Sequence, residues 1–184
     1  ITSLDCSNQR LGGFINPYQL TSLAFLPPNL QYLDCHGNGI SSLQNLPASL
    51  TYLNCASNKF HSSQGVDIPT LTSIGTLPAS LAYLNCSGNG ISTLPALPDN
   101  LSYLDASNNY ADFSYLTMPW FFSGLTSLPS LPLNLGYLNV SNNPSLFCLP
   151  ILPQTLTTLN ITNTGINCIP NVVAGLNIGS VPIC

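Results

Sequence analysis

The chain has 184 residues, enough for one domain with a substantial core, and 45% of them are hydrophobic, which excludes disorder for want of apolar material. Only 4% are charged, with Arg10 and Lys59 the sole cations, no glutamate and a net charge of −4. The absence of a basic patch excludes nucleic acid and anionic membrane as partners. No apolar run approaches the roughly 20 residues that span a bilayer.

The chain opens on "ITSLDC", with no leader-like segment ahead of it, so any export signal is expected to have been removed or to lie outside this chain. The pattern L-x-x-L-x-(C/A/V/I)-x-x-N then begins at Ile1 and starts again at Leu30, Leu50, Leu81, Leu101, Leu135, Leu156 and, degenerately, Leu176. The spacings are 29, 20, 31, 20, 34, 21 and 20. A fixed short period is the mark of a solenoid in which each unit is one coil. The longer spacings place insertions at about 12–20, 60–70 and 110–124, each after the residue at the asparagine position of its coil. The whole of 1–184 reads as one domain, closing on a cap at about 165–184.

Within a coil, "LQYLDC" alternates with period 2, which predicts a short strand with Leu33 and Cys35 inward and Tyr32 and Asp34 outward. Asn38, Asn58, Asn89, Asn109 and Asn143 fall at the following bend, where a side-chain amide can satisfy backbone groups of neighbouring coils. The return stretches, such as "LPALP" and "LPILP", must be extended because proline cannot continue a helix. No coil buries its leucines alone; parallel stacking at about 4.8 Å merges them into one core.

Two outward columns follow from the register. Tyr32, Tyr52, Tyr83, Tyr103 and Tyr137 form one, flanked by Ser3 and Thr158 at its ends. Asp5, Asp34, Asn54, Asn85, Asp105, Asn139 and Asn160 form the other. A tyrosine stripe offers a large contact area with a polar tip and little entropy to lose, which suits binding. The same stripe also serves as a scaffold, each ring stacking on the next. The third insertion, "YADFSYLTMPWFFSG", adds Tyr115, Trp120 and Phe121, either as contacts for a partner or as a flap over the core edge.

The cysteines fall into two groups. Cys6, Cys35, Cys55 and Cys86 share an inward position that later becomes Ala106, Val140 and Ile161, so they read as small apolar core residues and not as metal ligands. Cys148 and Cys168 occupy corresponding places in "CLP" and "CIP", one coil apart, within the reach of a disulfide. That pair is expected first; Cys184 could instead compete for Cys168, and three free thiols would mean a reducing compartment. Sequons stand at Asn85, Asn100, Asn139 and Asn160, as chance allows in a chain so rich in Asn, Ser and Thr.

The strings "LPASLTYLNCASN", "LPASLAYLNCSGNGISTLPALP" and "LPQTLTTLNITNTGINCIP" resemble the short bacterial leucine-rich repeat "LPxLPxxLxxLxxxxNxL". The cysteine form is similar to repeats of secreted or surface proteins of Bacteroidetes-type bacteria. The resemblance implies a leucine-rich-repeat solenoid with a parallel sheet on the concave face, extended returns and little or no helix. It implies nothing specific about the ligand, since the scaffold hosts many.

Catalysis has little support: His36 and His61 stand in different contexts and neither is expected to have a neighbouring Ser/Asp arrangement, Asp5 and Asp34 share a column that elsewhere accepts asparagine, and no phosphate loop is present. The expected function is therefore contact without catalysis or cofactor. One form is a secreted or cell-surface module that recognises a protein or glycan through its tyrosine face and insertions. The other is a structural subunit held by neighbouring subunits in a surface assembly, which so uncharged a surface favours. The first coil, beginning inside a repeat, is expected to present a strand edge that something else covers.

Overall fold

The structure, a computed structural model, describes residues 1–9, 19–61, 67–110 and 124–184, and none of these is helical. Strands are short. In chain order they are β1 (Ser3–Asp5), β2 (Tyr32–Asp34), β3 (Ser42–Leu43), β4 (Tyr52–Asn54), β5 (Lys59–His61), β6 (Asp67–Pro69), β7 (Ser73–Ile74), β8 (Tyr83–Asn85), β9 (Tyr103–Asp105), β10 (Tyr137–Asn139) and β11 (Thr158–Asn160). Seven of them make one parallel sheet in the order β1-β2-β4-β8-β9-β10-β11. Order in the sheet is order in the chain, so each coil lays one rung beside the last. The register never slips: Leu33 pairs with Leu4 and Leu53, and Leu138 with Leu104 and Leu159.

Each coil enters its strand through the same turn. A proline carbonyl at the end of the return accepts from the leucine three residues on, as in Leu50 to Pro47 at 3.0 Å and Leu101 to Pro98 at 3.0 Å. Proline suits this place because it gives up no ladder donor there. A Ser or Thr hydroxyl just before the strand ties the turn to the coil below: Ser80 donates to the carbonyls of both Ala48 and Leu50 at 2.7 Å.

Each coil also leaves its strand in one way. Two residues past the inward Cys/Ala/Val/Ile position the backbone turns left-handed, at Asn8, Gly37, Ser57, Gly88, Asn108, Asn142 and Asn163, with φ between 50° and 67°. Glycine and asparagine are the residues that tolerate this region, so the bend is written into "HGN", "SGN" and "SNN". The bend asparagine follows. Asn89 is fully buried, its Nδ2 donating to the carbonyls of Cys86 (2.9 Å) and Cys55 (3.0 Å) while its Oδ1 accepts from the Asn58 backbone N–H (2.8 Å). Asn38, Asn58 and Asn109 do the same work, so polar groups deep in the stack find partners that no strand supplies.

The leucine columns form the core. Leu33, Leu53, Leu84, Leu104 and Leu138 have no exposure, and neither do Cys35, Cys55, Cys86, Ala106 and Val140 one step along. Each buried leucine is worth about 1.5–3 kcal/mol. Insertions leave this core intact. After the second and third, the Thr70 and Leu125 N–H groups bond back to the carbonyls of Asn58 (2.9 Å) and Asn109 (3.0 Å). Buried Leu71 and Leu125 then fill the place that Ile40 and Ile91 hold in uninterrupted coils. The stem of the second insertion is the antiparallel pair β5–β6, and Tyr110 bridges Gly124 at the base of the third.

The disulfide corrects one expectation. Cys168 bonds Cys184, with Cα atoms 5.2 Å apart, while Cys148 is an exposed free thiol. After Leu176 no strand joins the sheet; the tail turns back and bridges Ile183 to Ile169 in parallel. That bridge, with Ile169 donating to Pro182 and Cys184 to Ile169 at 2.8 Å each, sets Cys184 beside Cys168.

Candidate recognition face

The outward side of the sheet carries the tyrosines in an unbroken stack. From Tyr32 through Tyr52, Tyr83 and Tyr103 to Tyr137, ring centroids lie 4.2–4.3 Å apart with planes within 10° of parallel. The geometry follows from the register, since one ring per rung at in-register strand spacing leaves each ring only its neighbour's face to cover. The rings are half-buried. Burial first, and then the neighbouring Tyr83, pushes the Tyr52 and Tyr103 hydroxyls well above the ordinary tyrosine range, so these two phenols are neutral at any physiological pH.

The Asp/Asn column lies beside it and is largely occupied with holding its own rungs. Asn54 Nδ2 donates to Asp34 Oδ2 and Asn139 Nδ2 to Asp105 Oδ2, both at 3.1 Å. The side chains of Asp5, Asn54, Asn85, Asp105, Asn139 and Asn160 each accept the N–H two residues ahead, closing the strand exit. The Ser7 backbone and hydroxyl groups hold the Asp5 carboxyl below the usual carboxylate range, so it is poorly suited to act as an acid beside Asp34.

One arrangement here was not anticipated. His36 does have a carboxylate partner: its Nδ1 lies 2.6 Å from Asp34 Oδ1, and its Nε2 lies 2.8 Å from Asn8 Nδ2. The signal was the i, i+2 spacing, which places Asp34 and His36 on the same side of an extended chain. With Nδ1 donating to Asp34 and Nε2 accepting from Asn8, both ring nitrogens are engaged within the cluster. Among the described residues no group of three or more His, Cys, Asp or Glu side chains is placed to hold a metal.

Tyr115, Trp120 and Phe121 lie outside the described residues. Sequence reasoning also passed over an apolar row on the return side, where Leu133 and Ile151 are largely exposed around a groove of about 450 Å³ reaching Leu131, Leu152 and Asn171. Its signal is faint, because an outward apolar residue inside "LPSLPLNL" or "LPILPQTL" looks like its inward neighbours.

A right-ordered stack of single-strand coils, a leucine core, a buried asparagine ladder and extended proline-bearing returns define a leucine-rich-repeat solenoid. No protein-family model matches the sequence, and no curated protein matches it. Solved structures do. The chain is similar to YopM from Yersinia enterocolitica WA-314, at 30% identity over 99% of this chain and 38% of that chain, with a TM-score of 0.61. It is also similar to the LRR domain of a Shigella effector, at 32% identity over 73% of this chain and 49% of that one, with a TM-score of 0.54. YopM from Yersinia pestis, described as a leucine-rich effector protein, shares the fold at 24% identity, 95% and 58% coverage and a TM-score of 0.56. The likeness is thus to bacterial leucine-rich-repeat proteins, and the chain spans about half or less of the first two solved chains it matches.

Proposed function

We propose that the chain is a non-enzymatic, exported recognition module that binds a protein or a glycan through its tyrosine face, with Tyr115, Trp120 and Phe121 of the third insertion adding contacts. The observation that carries this reading is where the stack stops. β1 pairs with β2 and β11 with β10 in the common register although Ser3 and Thr158 stand where the other strands have tyrosine. The sheet therefore pairs without the rings, and five phenols along one face act as a contact surface. Asp34 and Asp105 supply a polar border already held in place by neighbouring asparagines. Export to the cell surface or beyond is supported by the Cys168–Cys184 disulfide, which oxidising compartments favour, and by the similarity of the "LNCSGN" phrases to Bacteroidetes-type surface repeats.

The test compares the native chain with Tyr83→Ala/Tyr103→Ala and with Trp120→Ala against a panel of purified surface proteins and a glycan array. Removing two adjacent stacked tyrosines should weaken any specific complex by at least about tenfold, as loss of central aromatic anchors does. Unchanged binding by both variants, each melting as a folded protein, sinks the reading. A structural role in an assembly is the second reading, favoured by the 4% charge content, since soluble domains generally keep apart by charge. Light scattering decides it: a dispersed monomer at high concentration is incompatible with an obligate assembly component.

A further inference from the structure

The hydrogen-bond step between coils repeats six times and then stops. The inward residue donates to the outward residue of the next coil: Cys6 to Asp34, Cys35 to Asn54, Cys55 to Asn85, Cys86 to Asp105, Ala106 to Asn139 and Val140 to Asn160, at 2.8–2.9 Å. Two residues on, Asn8, Gly37, Ser57, Gly88, Asn108 and Asn142 donate in the same manner, the last to Thr162 at 2.8 Å. The next donors by position are Ile161 and Asn163, and neither makes such a bond among the described residues. The matching acceptor, the Thr157 carbonyl, also lacks the bond from a following coil that Gly136 receives from Thr157 and Thr158.

The chain does return past this edge, but at a distance. Residues 177–181 leave a groove of about 480 Å³, walled by Leu159, Ile161 and Ile166 on the sheet side and by Ile178 and Val181 on the tail side. The tail is tied elsewhere, to Ile169 by its backbone and to Cys168 by the disulfide, which keeps it off the sheet. Leu159 and Ile161 are consequently half-buried where their counterparts in the five coils before them have no exposure.

We infer that this groove is a peptide site: an extended, leucine-bearing peptide enters it as an eighth parallel strand on β11. The occupant's chemistry is set by the six interfaces that precede it. Its carbonyls must meet the Ile161 and Asn163 N–H groups, its own N–H must reach the Thr157 carbonyl, and a leucine followed two residues later by a small apolar residue must point inward onto Leu159 and Ile161. Main-chain bonds then give affinity and the two inward positions give selectivity, as in strand addition generally. The site is an edge of the sheet and is separate from the tyrosine face, so neither proposal rests on the other.

The probe is the synthetic peptide LGYLNVSN, which copies residues 135–142 and already pairs this way inside the chain. Amide exchange of the labelled 184-residue chain is followed at saturating peptide. The expected result is at least a tenfold slowing at Ile161 and Asn163 with no change at Val140, and at least tenfold weaker binding of the peptide carrying N-methylated Gly and Tyr, which removes both N–H groups aimed at the Thr157 carbonyl, as Gly136 and Tyr137 both aim at Ser102 in the chain. Three results overturn the proposal: no slowing at those amides, slowing at β1 instead, or equal binding of the N-methylated peptide. Protection of Ile161 and Asn163 that grows with protein concentration alone, without peptide, also overturns it by making a second copy of this chain the occupant.

Discussion

Truncating the ladder at Asn89→Ala isolates what the buried amides contribute. Asn89 shares its acceptors: the Cys55 carbonyl also takes a bond from Asn58 (2.8 Å), and the Cys86 carbonyl one from Asn109 (3.1 Å). Truncation therefore leaves both carbonyls with one amide each. The Asn58 backbone N–H, 2.8 Å from Asn89 Oδ1 and fully buried, loses the only acceptor it has among the described residues. Two lost bonds at about 1 kcal/mol each and one orphaned donor at about 1–3 kcal/mol give a cost of about 3–5 kcal/mol. Asn143→Ala is the control. Its Nδ2 donates to Ala106 (2.9 Å) and Val140 (2.8 Å), but its Oδ1 has no partner among the described residues, so no donor is orphaned and the cost should be only about 2 kcal/mol. Asn89→Thr should fall between Asn89→Ala and the native chain, because the last coil uses Thr164 at this place and keeps one bond, to the Ile161 carbonyl at 2.7 Å. Urea unfolding followed by circular dichroism measures all three. Equal costs for Asn89→Ala and Asn143→Ala, or less than about 1 kcal/mol for the former, would refute the idea that the orphaned donor dominates.

Gly37→Ala should destabilise by about 1–2 kcal/mol or more, because φ is +67° and the added Cβ would strike Asn8 Oδ1; a melting temperature equal to that of the native chain would contradict this. Stability should fall as pH rises from about 9. Burial pushes the Cys86 thiol up to about 12 from its ordinary 9.0, and raises Cys35, Cys55, Tyr52 and Tyr103 as well. The unfolded chain releases these protons first, so the stabilisation is complete below pH 9 and drains away through 12; a urea midpoint flat across that window would refute it. Reducing Cys168–Cys184, which closes a separation of 16 residues, should cost up to about 3 kcal/mol, confined to the last coil, while Cys148→Ser should leave the melting curve where it was.

The repeat alone determined the rungs. Leucine and small apolar letters alternate with tyrosine and asparagine at period 2, and one-residue slips would turn the leucines to water, so register and facing were both legible before any coordinates. The left-handed exit was equally open to reading, because glycine, asparagine or serine stands at that one place in every coil. The stacking of the tyrosines followed too, since in-register neighbours must lie one strand spacing apart. Tertiary structure decided what lies where the period fails. Cys184 reached Cys168 only because the tail left the sheet to pair with Ile169, and nothing in "VPIC" announces that course. Likewise, His36 had its carboxylate two letters away, but the third member, Asn8, lies 28 residues earlier and meets the ring only because coils stack in register. Local pattern fixes a repeating unit because every coil faces the same neighbours; at the ends and in the insertions that environment is missing, and only packing selects the path.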